Sequence, residues 1–134
     1  MAGFASEDEL YKYVGAIFEK AFEDKEIGPK LAETNAVLAM YCTEPDSTLI
    51  IDMGNHKVHE GNTGPAPDAA MRMTTETSNL YWQGKVNLTF AMARGKVKVE
   101  GNIAKLLALS PASRKMFPVY VEMLKADGRD DLLA

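Results

Sequence analysis

The sequence predicts an α+β domain in which helices are layered on a five-stranded, largely antiparallel sheet. An amphipathic segment before residue 28 indicates a helix. Three short β-rich segments follow residue 36. Helical segments and two further strands, one before residue 84 and one after it, make up the rest of the chain. The length of 134 residues, with 46% hydrophobic and 25% charged residues, suits one globular domain. We therefore expect a single domain over residues 1–134.

The first helix is predicted from its cap and its apolar stripe. Ser6 and Glu9 have the spacing of a capping box, in which the serine side chain accepts a hydrogen bond from the backbone N–H of the glutamate. Apolar residues three and four apart then form one stripe: Leu10, Tyr13, Val14, Ile17, Phe18, Ala21 and Phe22. Gly28 and Pro29 are expected to stop any continuation past Lys25. The polar side is mostly acidic, so the stripe is expected to pack on a core rather than on a membrane.

The next three strands are predicted to form a meander. Residues 37–43 and 48–53 are β-rich and separated by a turn, and residues 56–60 return after Gly54 and Asn55. A two-residue turn at that point sets these pairs opposite each other: Asp52 with Lys57, Ile51 with Val58, and Ile50 with His59. One face of this hairpin then carries Leu49, Ile51, Met53 and Val58. This apolar grouping favours the predicted register.

The second half of the chain is predicted to add two strands and several helices. In order, these are a strand over 69–75, a helix over 75–83, a helix over 88–94, a strand over 96–100 and a helix over 103–109. The fourth strand places Met71 and Met73 on one face. A last helix begins at Ser110, which precedes a proline; Pro118 is expected to kink or restart it, and Gly128 ends it.

Charge and composition narrow the functional classes. The net charge is −4 and the pI is near 5.2, and Lys and Arg are scattered among carboxylates, so neither nucleic acid binding nor anionic membrane binding by charge alone is expected. No apolar run approaches the ~20 residues of a membrane-spanning helix. The single Cys42 excludes an internal disulfide and a thiolate metal cluster, which is what a reducing compartment allows.

The residues that carry chemistry do not form a catalytic pattern. His56 and His59 are three apart on a strand, so they point to opposite faces and cannot bind one metal together. Cys42 lies in an apolar strand, where nothing would lower the pKa of its thiol. Four basic residues, Lys85, Arg94, Lys96 and Lys98, either form the wet face of a strand or attract an anionic head group. We expect no catalytic residue, no metal and no cofactor.

The stretch from residue 84 to residue 102 resembles a known family. Its glycines, lysines and asparagines fall in the order Gly-Lys-x-Asn, then Ala, then Gly-Lys-x-Lys-x-x-Gly-Asn. The matching residues are Gly84, Lys85, Asn87, Ala91, Gly95, Lys96, Lys98, Gly101 and Asn102. This spacing resembles the sterol carrier protein 2-like lipid-binding domains.

Two departures from that family pattern bear on the prediction. Leu88 and Thr89 stand where many relatives have Pro-Gln, which alters only the start of a helix. No peroxisomal Ser-Lys-Leu tail is present, because the sequence ends Asp131-Leu132-Leu133-Ala134. We therefore expect a cytoplasmic protein.

The resemblance implies an apolar tunnel between the sheet and the helices. The chain contains eight methionines, whose flexible side chains suit a cavity that adapts to its ligand. The expected ligand-binding residues, chosen by face and by family position, are Met71, Met73, Phe90, Met92, Leu106, Met116, Tyr120 and Met123. The apolar residues of the last helix are expected to cover either the sheet or this tunnel.

The function implied by the resemblance is non-catalytic binding and transfer of a lipid. The ligand would be a fatty acid, fatty acyl-CoA, phospholipid or sterol, membrane contact would be transient rather than inserted, and the protein is either a monomer or a dimer. Two alternatives remain open. One is a small cavity-containing enzyme, which requires polar residues such as Asp52, His59, Tyr41 or Tyr81 inside the pocket. The other is a module that docks a partner helix in an open groove.

Overall fold

A computed structural model describes residues 3–134. Its helices are α1 (Glu7–Leu10), α2 (Ala16–Glu23), α3 (Ile27–Thr34), α4 (Thr75–Trp82), α5 (Leu88–Ala93), α6 (Ile103–Ala108) and α7 (Ser110–Ala126), and a π-helical turn, Tyr11–Gly15, joins α1 to α2. Its strands are β1 (Val37–Thr43), β2 (Ser47–Asp52), β3 (Lys57–Glu60), β4 (Ala69–Thr74) and β5 (Lys98–Gly101). The predicted α+β class is confirmed.

The N-terminal cap forms as the sequence predicts. The Ser6 hydroxyl accepts from the Glu9 backbone N–H at 3.4 Å, and the Glu9 carboxylate accepts from the Ala5 N–H at 2.9 Å. The helix then runs without interruption from α1 through the π-helical turn into α2. Its apolar stripe is buried in the core.

The first helix ends before Gly28 and Pro29, but these two residues lie in a further helix that the sequence did not predict. The chain breaks at Asp24 and starts α3 at Ile27, with Pro29 in its first turn. Proline is tolerated there because the first N–H groups of a helix have no intrahelical partner. The Asp24 carboxylate satisfies two such groups, since it accepts from the N–H of Glu26 and of Ile27 at 2.9 Å each.

The five strands form one sheet in the order β3-β2-β1-β4-β5. The predicted register of β2 and β3 is confirmed, with Asp52 opposite Lys57 and Ile51 opposite Val58. Only the central pair, β1 and β4, is parallel. A parallel pair needs a crossover, and β2 and β3 lie within that crossover.

Most of the core lies between the sheet and the helices. Met71 and Met73 point into it from β4, as predicted, while Arg72 lies on the exposed face. The opposite sheet face carries only a small apolar cluster: Ala39, Ile50 and Ala70, with Val37 and Tyr41 packed on them. The helical layer therefore covers one side of the sheet.

The last helix does not restart at Pro118, which was one of the two outcomes predicted for this residue. α7 continues through this residue to Ala126. Proline removes the hydrogen bond to the carbonyl of Arg114, but both residues are exposed, so water can solvate the freed carbonyl. Gly128 follows with a φ of 67°, which is the left-handed geometry that ends a helix. Within residues 3–134, no helix is long and apolar enough to cross a membrane.

Candidate functional site

An apolar cavity lies between the sheet and the helical layer. Strands β1 and β4 form its floor, and α2 and α4 to α7 supply its remaining walls. Its lining residues are Phe18, Leu38, Met40, Met71, Met73, Tyr81, Trp82, Leu88, Leu106, Leu109, Ser110 and Ser113. The lining is almost wholly aliphatic, aromatic or thioether.

The cavity is small in this conformation. Its volume is about 30 Å³, and one water molecule needs about 10–15 Å³ of such space. Two or three waters would fill it. The structure therefore shows a small cavity, which we call the closed cavity, and not the tunnel that the resemblance implies.

A larger groove lies outside the cavity, between α5 on one side and α6 and α7 on the other. It has a volume of about 580 Å³ and opens to solvent. Its lining residues are Tyr81, Gly84, Val86, Asn87, Leu88, Thr89, Met92, Leu107, Ser110, Arg114 and Phe117. Tyr81, Leu88 and Ser110 line both spaces, so their side chains separate the closed cavity from the open groove.

Aromatic rings hold one side of this partition in place. Tyr81 packs edge to face against Trp82 and against Phe117, with ring centroids 5.4 Å apart in each pair. Trp82 also packs edge to face on Phe18, at 5.2 Å. Gly84 permits the close approach of Phe117, because a Cβ at residue 84 would lie 3.1 Å from that ring and its φ is 76°. Tyr81 is thus held by two aromatic contacts, whereas Leu88, which is equally half-buried, has no ring to stack on its neighbours.

Polar groups near the cavity are few. Burial raises the pKa of the Tyr81 hydroxyl, while the Ser113 side chain and the Arg114 guanidinium lower it.

The indole Nε1–H of Trp82 and the hydroxyl of Ser78 are buried and find no hydrogen-bond partner among residues 3–134. Trp82 is only 3% exposed, and an unpaired buried donor costs roughly 1–3 kcal/mol. A water or a ligand oxygen would relieve that cost.

Four of the eight residues predicted to bind ligand lie along these two spaces. Met71, Met73 and Leu106 line the closed cavity, and Met92 lines the open groove. Whether they contact a ligand stays a prediction.

The other four line neither space in this structure, and whether they contact a ligand also stays a prediction. Phe90 is 64% exposed, because Ala91 is the side chain that α5 buries. Tyr120 is fully buried and its hydroxyl donates to Asn79 Oδ1. Met116 lines a smaller void beyond Trp82. Met123 is half-buried at the edge of the core and lines neither space.

Several residues that line the cavity were not predicted, although the sequence pattern places them on the core face. Leu38 and Met40 alternate along β1 and therefore share a face, as Met71 and Met73 do on β4. Phe18 belonged to the recognised stripe of the first helix. Arg114 had no such signal, since nothing in the sequence shows that it lines the groove.

The four basic residues singled out in the sequence do not converge on the cavity. Lys96 and Lys98 line a different groove, on the sheet side, together with Arg72. Lys85 and Arg94 line neither the cavity nor the open groove. Arg114 is instead the one cation along the open groove.

Candidate nucleophiles and metal ligands lie away from the cavity. Burial raises the pKa of the Cys42 thiol to about 12, so it is not a thiolate near neutral pH. His56 stacks on Phe22, and its Nε2 lies 2.8 Å from the carbonyl oxygen of Gly28. Within residues 3–134, no group of three or more His, Cys, Asp or Glu side chains is arranged to hold a metal ion.

Among the four polar residues that an enzyme would place inside the pocket, only Tyr81 lines the cavity. Asp52, His59 and Tyr41 are absent from its wall. The Asp52 carboxylate instead accepts hydrogen bonds from Asn55 in the β2–β3 turn. No acid and base pair meets the cavity among the described residues.

The fold and cavity define a class: an α+β domain with an apolar cavity between a mixed five-stranded sheet and a layer of helices. A sequence model of the SCP-2 sterol transfer family matches residues 16–113. The chain belongs to this family, as the stretch around residues 84–102 indicated.

Solved structures of sterol carrier proteins share the fold. The sterol carrier protein domain 2 of Helicoverpa armigera has a TM-score of 0.71 at 22% identity, over 88% of this chain and 96% of that chain. The apo sterol carrier protein 2 of Yarrowia lipolytica has a TM-score of 0.63 at 21% identity, over 75% and 87%. Sterol carrier protein 2 of Aedes aegypti, in complex with palmitate, has a TM-score of 0.55 at 19% identity, over 80% and 93%. Comparison with curated proteins gave no match.

Proposed function

We propose that this protein binds a single-chain lipid, such as a fatty acid or fatty acyl group, and transfers it without chemical change. The observation that carries the proposal is that an apolar cavity and an open groove lie on the two sides of one shared wall, formed by Tyr81, Leu88 and Ser110. The palmitate complex of the Aedes aegypti relative supports a fatty acyl ligand. Phospholipids and sterols are wider, so they require a larger opening.

Binding requires the cavity to expand, and the short helices are the elements that can move. α5 buries only Ala91, and α6 buries only Leu106. Elements with few buried side chains open at a low free-energy cost. We infer that a ligand first occupies the groove, and that its tail then displaces Leu88 to enter the cavity.

The affinity in this mechanism comes from burial of the chain. Each buried CH₂ contributes about 0.8 kcal/mol, which is roughly a fourfold gain in affinity. Opening the cavity costs the same free energy for every ligand, whatever its chain length. Short chains are therefore expected to bind weakly and long chains to bind well.

Arg114 provides a position for an anionic head group. It lines the groove, is exposed, and makes no ion pair among residues 3–134. A guanidinium binds carboxylate and phosphate oxygens with paired hydrogen bonds. A ligand whose tail enters past Leu88 would leave its head group in the same groove as this side chain.

Native mass spectrometry of the protein purified from its expression host tests the proposal. We expect a mass shift equal to one fatty acid or acyl lipid, and its disappearance after delipidation and return on adding palmitate. Protein that stays empty under both conditions would contradict lipid binding.

A further inference from the structure

The charge of this chain is unevenly distributed, although its basic residues looked scattered in the sequence. Residues 84–121 contain seven basic residues, Lys85, Arg94, Lys96, Lys98, Lys105, Arg114 and Lys115, and one acidic residue, Glu100. The other residues of the chain carry the remaining 18 acidic and 8 basic side chains. A protein with a net charge of −4 therefore has a strongly positive segment.

The same segment carries the exposed large apolar side chains. Among the described residues, these are Phe90, Met92, Ile103, Leu107 and Val119. Phe90 and Leu107 are the most exposed, at 64% and 54%. Exposed apolar residues grouped on a soluble domain mark an interaction surface.

Four of these side chains lie on the two short helices beside the open groove. Met92 of α5 and Leu107 of α6 both line that groove, so the two helices meet across it. Ile103 lies one helical turn before Leu107 on the same face of α6. Phe90 and Met92 flank the buried Ala91 on α5, so both border the outward face of this helix. We call Phe90, Met92, Ile103 and Leu107 the apolar rim.

Unpaired positive charges accompany the apolar rim. Lys85 lies in the loop before α5, Arg94 is the residue that ends α5, and Arg114 lines the groove. None of the three makes an ion pair with another residue in 3–134. Their charges are therefore available to a negatively charged partner.

We propose that the apolar rim and its basic residues dock on an anionic lipid bilayer. Apolar side chains enter the boundary between head groups and acyl chains, and nearby Lys and Arg are attracted to anionic lipids. Each such charge near the surface contributes about fivefold in affinity. Docking in this orientation places the groove mouth against the bilayer, but the inference does not depend on lipid uptake.

A vesicle sedimentation assay tests the inference. The probes are vesicles of phosphatidylcholine alone and of phosphatidylcholine mixed with phosphatidylglycerol. We expect the wild-type protein to bind the mixed vesicles more tightly, and added salt to weaken that binding by screening. Equal binding to both vesicles, or binding to neither, would overturn the inference.

Paired variants test whether this surface is the one that binds. Replacing Phe90→Ser together with Leu107→Ser is expected to lower binding by at least about tenfold. Val119→Ser is the matched control, because Val119 is an exposed apolar residue that lines a separate groove with Lys20 and Glu23. An equal loss in the control, or no loss in the double variant, would overturn the assignment of the surface.

Charge variants test the electrostatic part. Lys85→Gln with Arg94→Gln is expected to lower binding to the mixed vesicles by roughly 25-fold. The control is Lys20→Gln with Lys25→Gln, which removes two positive charges from outside the positive segment and should change binding little.

The apolar rim could instead be a contact between copies of the chain. In that case Phe90→Ser with Leu107→Ser would abolish a dimer seen by analytical ultracentrifugation, and the wild-type protein would not bind vesicles. That result would overturn the membrane inference.

Discussion

The Tyr120 hydroxyl donates a hydrogen bond of 2.8 Å to Asn79 Oδ1. Asn79 Nδ2 in turn donates to the carbonyl oxygen of Leu132 at 2.8 Å, and Gln83 Nε2 donates to the same oxygen at 2.8 Å. This buried network ties α4 and α7 to the C-terminal residues. Burial raises the pKa of Tyr120 far above its usual value, so the hydroxyl stays protonated and remains a donor.

The network predicts a structural rather than ligand-binding effect for Tyr120→Phe. The substitution leaves Asn79 Oδ1 buried without its donor, so we expect a loss of about 1–3 kcal/mol in the free energy of unfolding. Affinity for palmitate should stay within about twofold of the wild type. Urea denaturation and calorimetric titration measure the two quantities. A lower affinity with unchanged stability would return Tyr120 to the ligand site.

Leu88 is predicted to control access to the cavity. Leu88→Ala removes part of the wall between groove and cavity, so palmitate should associate several times faster, with a stability loss near the low end of the ~2–5 kcal/mol typical of such truncations. Val86→Ala is the control, since Val86 lines only the groove. Stopped-flow fluorescence gives both association rates. Equal rates in the two variants would mean that ligands do not pass Leu88.

Arg114 is predicted to distinguish ligands by their head group. Arg114→Gln should weaken palmitate binding by about tenfold, because a charged hydrogen bond is lost. It should leave the binding of the uncharged hexadecanol unchanged. Lys115→Gln is the control, since Lys115 pairs with Glu26 at 2.8 Å and lies outside the groove lining. If both ligands were weakened equally, Arg114 would act through the fold rather than on the head group.

The ion pair of Glu9 with Arg129 predicts a pH dependence of stability. The pKa of Glu9 lies below its usual 4.5 because its carboxylate accepts from the Ala5 N–H and pairs with Arg129 at 3.1 Å. A lowered pKa stabilises the fold above pH 4.5, and that contribution is lost as the pH falls through the folded-state value. Glu9→Gln should thus cost about 1 kcal/mol at pH 7 and less at pH 3. Urea denaturation at both pH values checks this. An equal cost at both would exclude the carboxylate charge as the cause.

The sequence predicted the sheet more accurately than the site. Alternation along β2 and β3 allowed one register that placed Ile51 and the half-buried Val58 on the core face, and a slip by one residue would have turned Val58 to the other face. Met71 and Met73 followed from the same two-residue period on β4. Alternation of this kind predicts which way side chains face because one face of the sheet is buried and the other is mostly not.

The positions on short helices could not be predicted in the same way. α5 has only six residues, so its pattern does not show whether Phe90, Ala91 or Met92 faces the core. Neighbouring elements decide this, and they select Ala91. Tyr120 looked like a wall residue because its partner, Asn79, is 41 positions away in the chain. The cavity volume likewise depends on side-chain packing that no local pattern encodes.

The most direct measurement of the central claim is the affinity for fatty acids of increasing chain length, read from the fluorescence of Trp82. Trp82 is the single tryptophan of the chain and lines the closed cavity, so a tail that enters the cavity contacts the reporter. We predict that the dissociation constant falls by roughly fourfold for each added CH₂ until the cavity is full. Affinity that does not change with chain length, or a Trp82 signal that does not respond to any of these ligands, would contradict lipid burial in this cavity.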